Sequence, residues 1–86
     1  MATQKELDSL FGEIDCLLYK RKFDRIEARM KRIDIEKTDI DILITYLQWT
    51  SCVKDQIPYR KQFLQKSIDI TKKRGEYTED LFTGLE

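Results

Sequence analysis

Histidine is absent from the chain. That single gap removes the commonest general base and the commonest metal ligand together. Proline occurs once and glycine three times, too rarely for the turn-dense sequence of a sandwich or barrel, so helices are expected throughout. No stretch approaches the roughly eighteen consecutive apolar residues of a membrane span, and the opening MATQKELDSL carries no apolar targeting core. Net charge is missing as well: 16 basic and 16 acidic residues cancel. A neutral chain does not bind nucleic acid by bulk charge alone. Nor is there a glycine-rich phosphate loop, a clustered carboxylate pair or a cysteine dyad. These gaps predict a protein that is not an enzyme, needs no cofactor or metal, and has no catalytic residues. Cys16 and Cys52 lack metal-like spacing and fall within helical patterns. They are expected as small buried hydrophobes, bridged only if two helices bring them face to face. A reducing cytoplasm and no membrane association fit this composition.

The richest stretch of what is present runs from Thr38 to Ile57, TDIDILITYLQWTSCVKDQI. On a helical wheel Ile40, Leu43, Ile44 and Leu47 form one apolar row, with Ile42, Tyr46, Trp49, Val53 and Ile57 beside it. A helix apolar over more than half its circumference packs on several sides, so this one is predicted to be central. Thr38 is the expected N-cap, with Asp39 and Asp41 suited to the positive end of the helix dipole. Trp49 is expected in the core or in a subunit interface.

Three further helices follow from the same periodicity. Thr3 and Glu6 suggest a capping box for a first helix over residues 3–20, with Leu7, Leu10, Phe11, Ile14, Leu17 and Leu18 on one side and Glu6, Asp8, Glu13 and Asp15 outside. A second helix over residues 23–33 buries Phe23, Ile26, Met30 and Ile33. The fourth begins at Pro58, a natural first-turn residue, and closes at Lys72, Lys73 and Arg74 before Gly75. Short connections make successive helices antiparallel neighbours. The predicted fold is all-α: one small four-helix domain over residues 1–75, built of two antiparallel helical hairpins. Residues 76–86 form a C-terminal tail, either flexible or docked as one short turn.

Charge is distributed unevenly along this frame. Residues 20–32 hold seven basic and two acidic side chains, and residues 60–74 hold six and one. Within the first segment Lys22, Arg25, Arg29 and Arg32 recur at helical spacing beside the buried row. This stripe is the best candidate for binding a partner. It can be a solvated helix face, a contact for the phosphates of nucleic acid, or a dock for an acidic protein. Arg60 lies within the inward arc of the fourth helix. It either lays its stem along the core and returns its head to water, or forms a partly buried ion pair that sets helix register.

At LLYKRKFDRIEARM the chain resembles the turn and second helix of a tetratricopeptide-type hairpin. Phe11, Ile14 and Leu18 match the large first-helix positions, and Phe23 the aromatic after the turn. Asp15 stands where such repeats have glycine, and Ile26 and Ile33 where they have alanine. The resemblance therefore implies the hairpin shape without the repeat's small-residue signature. More broadly, LQWT, PYRKQF and KKRG resemble small uncharacterised all-helical bacteriophage proteins over residues 7–75. That likeness implies a phage accessory protein working in host cytoplasm. The resulting expectation is an interaction module, acting as adaptor, inhibitor or assembly factor through its basic face. An accessory protein binding nucleic acid through helices two and four is the alternative. A self-assembling subunit, such as a homodimer covering the wide apolar arc of the third helix, is another.

Overall fold

Local chemistry places most of the helix ends. A computed structural model describes residues 3–86 of the chain. Thr3 caps α1 (Gln4–Tyr19), its Oγ1 accepting the Glu6 amide at 3.1 Å. Arg21 then takes a left-handed conformation at φ 57°, and the amide of Lys22 reaches back to the Leu17 carbonyl. This tight reversal brings α2 (Phe23–Arg32) against α1. A 3₁₀ turn over Ile35–Lys37 leads to α3 (Ile40–Trp49). A second 3₁₀ segment, Ser51–Gln56, precedes α4 (Tyr59–Arg74), which Gly75 ends at φ 74°. Such a left-handed residue is glycine's usual role at a helix C-terminus. A last short helix, α5, covers Glu79–Phe82. No strand occurs among the described residues, and the fold is all-α as expected.

The helices pack as two hairpins in contact. α1 lies against α2 and α3, and α4 lies against α2 and α3. At their shared centre Ile14, Ile26, Met30, Leu43, Leu47, Ile57 and Phe63 are buried to within 1%. Burying each of these side chains contributes roughly 1.5–3 kcal/mol, the main force holding a chain this short together. All four helices send residues into the one core, so none of them is dispensable.

Three expectations need correction. The third helix is not continuous from residue 38 to 57. It stops at Trp49, and Val53 leaves helical geometry altogether at φ −122°. At the break the Thr50 and Ser51 hydroxyls donate to the Tyr46 and Gln48 carbonyls at 2.6 and 2.8 Å, and Thr50 also accepts from Arg60 of α4. Its start also differs, because Asp39 occupies the N-cap while the Thr38 hydroxyl donates to the Asp34 carbonyl at 2.7 Å. Trp49, expected in the core or an interface, packs half-buried against the edge of the core, its ring meeting that of the partly exposed Phe11 at 64°. The cysteines are exposed and unbridged. Cys16 lies off the apolar side of α1, and Cys52 falls in the 3₁₀ segment after the break rather than on a buried helix. Of the two alternatives for the tail, the structure has the docked one, and its side chains add to the core: Phe82 and Leu85 are buried, and the Tyr77 ring stacks on Phe82 at 5.5 Å.

Candidate functional site

Helix α2 presents three different flanks. Inward, Ile26 and Met30 are fully buried, with Phe23 and Ile33 half-buried at the two ends. Toward α4, the Glu27 carboxylate accepts the Tyr59 amide at 3.0 Å, which satisfies an orphan donor at the start of α4. Lys31 pairs with the same carboxylate at 3.7 Å and stands 5.6 Å from the centre of the Tyr59 ring, as does Lys66 of α4. Nothing in the sequence marked Glu27 for this role beyond its spacing to Lys31.

The third flank, toward α1, carries Lys22, Arg25, Arg29 and Arg32, all exposed. Arg29 forms an ion pair with Glu13 of α1. Among the described residues Lys22, Arg25 and Arg32 have no carboxylate within ion-pair reach. The Tyr46 phenol of α3 lies in the field of this pair. Burial raises its pKa, Arg29 opposes that shift, and Glu13 reinforces it. The structure thus brings the four stripe residues together on one edge and joins them to α1 at a single point.

The basic residues of α4 behave differently. Arg60 is only 2% exposed. Its Nε donates to the Thr50 hydroxyl at 2.9 Å and its Nη2 to the Leu47 carbonyl at 2.7 Å. Both expectations for this residue fail: its head does not return to water, and no carboxylate pairs with it among the described residues. A carbonyl left open at the end of α3 supplies the partner instead, and the negative end of that helix's dipole suits a cation. Burial lowers the Arg60 pKa from its ordinary value. At the other end of α4, Arg74 donates to the Thr38 carbonyl at 2.7 Å, to that of Ile35 at 3.1 Å, and to that of Glu36. One guanidinium holds the whole 3₁₀ turn. Lys72 stands 4.9 Å from the Tyr77 ring, and Lys54 donates to the Glu86 carbonyl at 3.0 Å, so the tail is stitched down by two more cations.

Beside α4 runs an open groove of about 800 Å³, with Ile57, Leu64 and Ile68 on its floor and Lys54, Lys61 and Glu86 on its rim. No group of His, Cys, Asp or Glu suited to hold a metal ion occurs among the described residues. No helix among them is long and apolar enough to cross a membrane. Neither a family model, nor a curated protein, nor a solved structure matches the chain.

Proposed function

We propose that this is a non-enzymatic protein-interaction module whose docking face is the α2 stripe, and that it takes an acidic protein surface. One observation carries the reading. Lys22, Arg25 and Arg32 stand in a row, exposed, with no acid to answer them among the described residues. Elsewhere Arg60 and Arg74 bind carbonyls, Lys31 joins Glu27 and Tyr59, and Lys54 and Lys72 hold the tail. The exposed Lys5, Lys20, Arg21, Lys37, Lys61 and Lys73 are spread over α1, the turns and α4. Rows of arginine on a rigid helix suit carboxylates, which they grip through paired N–H donors. Zero net charge weighs against nucleic acid, which a neutral chain does not attract by bulk charge.

The test uses Arg25→Ala, Arg32→Ala, which spares Arg29 and so leaves Glu13 paired. Immobilised wild-type protein is expected to retain an acidic protein from lysate, and the double variant, still fully helical by circular dichroism, is expected to lose it. Nucleic acid is titrated in parallel. Tight binding with a log–log salt slope of about −3 to −4, flattened by the same substitutions, would assign the stripe to phosphates and overturn the reading.

A further inference from the structure

We infer that the acidic surface this stripe fits is carried by a second copy of the same chain, on the exposed edge of α1. The inference rests on the reading of the stripe as a protein-docking face, and it names the partner. Around α1 the acids separate into two flanks. Glu6 and Glu13 lie toward α2, where Glu13 meets Arg29. Asp8 and Asp15 lie on the other flank, beside Phe11, whose ring contacts Trp49 of α3. Continuing along that flank, Asp8, Phe11, Asp15 and Tyr19 recur at helical spacing, so acid and aromatic alternate.

All four of these side chains are exposed, Phe11 by 39% and Tyr19 by 89%. Among the described residues Asp8 engages Gln4 of its own helix alone, at 2.9 Å through Oδ1. No lysine or arginine of α1 shares this arc, Lys5 lying on the next one round. The row therefore offers two carboxylates for charge-assisted hydrogen bonds and two rings for cation–π contact. Lys22, Arg25 and Arg32, in line on either side of the paired Arg29, are its complement. At about 1.5 Å of rise per residue, Lys22 to Arg32 covers about 15 Å and Asp8 to Tyr19 about 16.5 Å, so the two rows match in length.

Within one molecule the rows cannot meet. The Arg29–Glu13 contact fixes the stripe on one side of α1, and the Phe11–Trp49 contact fixes the acidic row on the other. Two copies related by a two-fold axis satisfy both at once, each giving its acidic row and receiving its neighbour's. Zero net charge removes the long-range repulsion that would oppose like molecules. Trp49 is half-buried, and a Cβ added at Gly12 would meet no atom within 4 Å, so that edge is open to close approach. The face of one hairpin is roughly 24 Å by 20 Å, so a pair buries on the order of 1,000 Å², the low end for a specific interface. Association in the micromolar range, weakened by salt, is the consequence.

Sedimentation equilibrium of the full chain tests this with two charge reversals. Wild-type protein is expected to move from monomer toward dimer mass between low and high micromolar concentration at low salt, and to return toward monomer at high salt. Arg25→Glu, Arg32→Glu makes both rows acidic, and Asp8→Lys, Asp15→Lys makes both basic. Each variant alone, folded by circular dichroism, is expected to stay monomeric. Mixed, they restore opposite charges at both contacts and are expected to form a one-to-one heterodimer. A wild-type chain that remains monomeric overturns the inference, as does a mixture of folded variants without heterodimer. If that monomer still loses an acidic partner through Arg25→Ala, Arg32→Ala, the stripe reading stands and only the identity of the partner is wrong.

Discussion

Two basic segments of this chain, residues 20–32 and 60–74, carry the same excess of five positive charges, and the fold treats them in opposite ways. On α4 the two arginines turn inward and become internal ties: Arg60 holds the end of α3 and Arg74 holds the turn before it. On α2 the arginines face outward, and only Arg29 finds an acid. The difference lies in what stands opposite. α4 runs past the end of one helix and past a 3₁₀ turn, and both present carbonyls that no regular ladder satisfies. α2 faces α1, whose backbone there is fully hydrogen-bonded helix and offers nothing to a guanidinium. Charge density in a sequence therefore says little about a binding face. Orphan carbonyls in the neighbouring elements decide which cations remain available.

Substitutions can break this contrast, and the largest effect is expected at Arg60. Arg60→Ala takes the charged donor from the buried Leu47 carbonyl, leaves the Thr50 hydroxyl only its bonds back onto α3 and opens a cavity, at a cost of about 3 kcal/mol. Arg60→Lys recovers little, because an ammonium cannot reproduce the guanidinium fork. Urea unfolding of both variants measures this, and an unchanged midpoint would remove Arg60 from the internal ties. Phe82→Ala comes next, since the tail is held by few groups. Its loss is expected to cost about 2 kcal/mol, limited by the free energy of docking the tail itself. Hydrogen exchange should then show residues 76–86 unprotected while α1 to α4 stay protected.

Smaller effects sharpen the other side of the comparison. Gly12→Ala is expected to stabilise the isolated fold by up to about 1 kcal/mol, because the helix gains propensity and nothing crowds the added carbon. Thermal melting at low protein concentration reads it, and destabilisation there would reveal a close neighbour. Arg25→Ala, Arg32→Ala should be nearly silent, within about 0.5 kcal/mol, as for surface residues without partners. If that pair proved as costly as Arg60→Ala, the stripe would be structural and its docking role would lose its support.

Thr3, Pro58 and Gly75 announced the boundaries of α1 and α4 in plain sight, because capping and backbone constraints act over three or four residues. The single-sided apolar rows of α1 and α2 likewise identified Ile14, Ile26 and Met30 as core. Helix α3 was legible only to Trp49. Its apolar pattern continues to Ile57, and periodicity alone does not register that the chain leaves helical geometry after Trp49, where Thr50 meets Arg60 of α4. The stripe, too, was visible as spacing, but its pairing through Arg29 was not. The tail shows the same limit, since four apolar residues among acids leave fraying and docking both open until a surface exists to receive Phe82 and Leu85.

Helix positions, the inward rows and the all-helical class depend on interactions between residues a turn or less apart, and for these the sequence by itself was sufficient. Which cations serve the fold and which face outward was decided by tertiary structure alone. A buried guanidinium is stable only where another element, ten to nearly forty residues away in this chain, delivers an acceptor at hydrogen-bonding distance. No local pattern encodes that meeting. It exists once α3, the 3₁₀ turn and α4 have packed, and the same packing leaves Lys22, Arg25 and Arg32 in solvent.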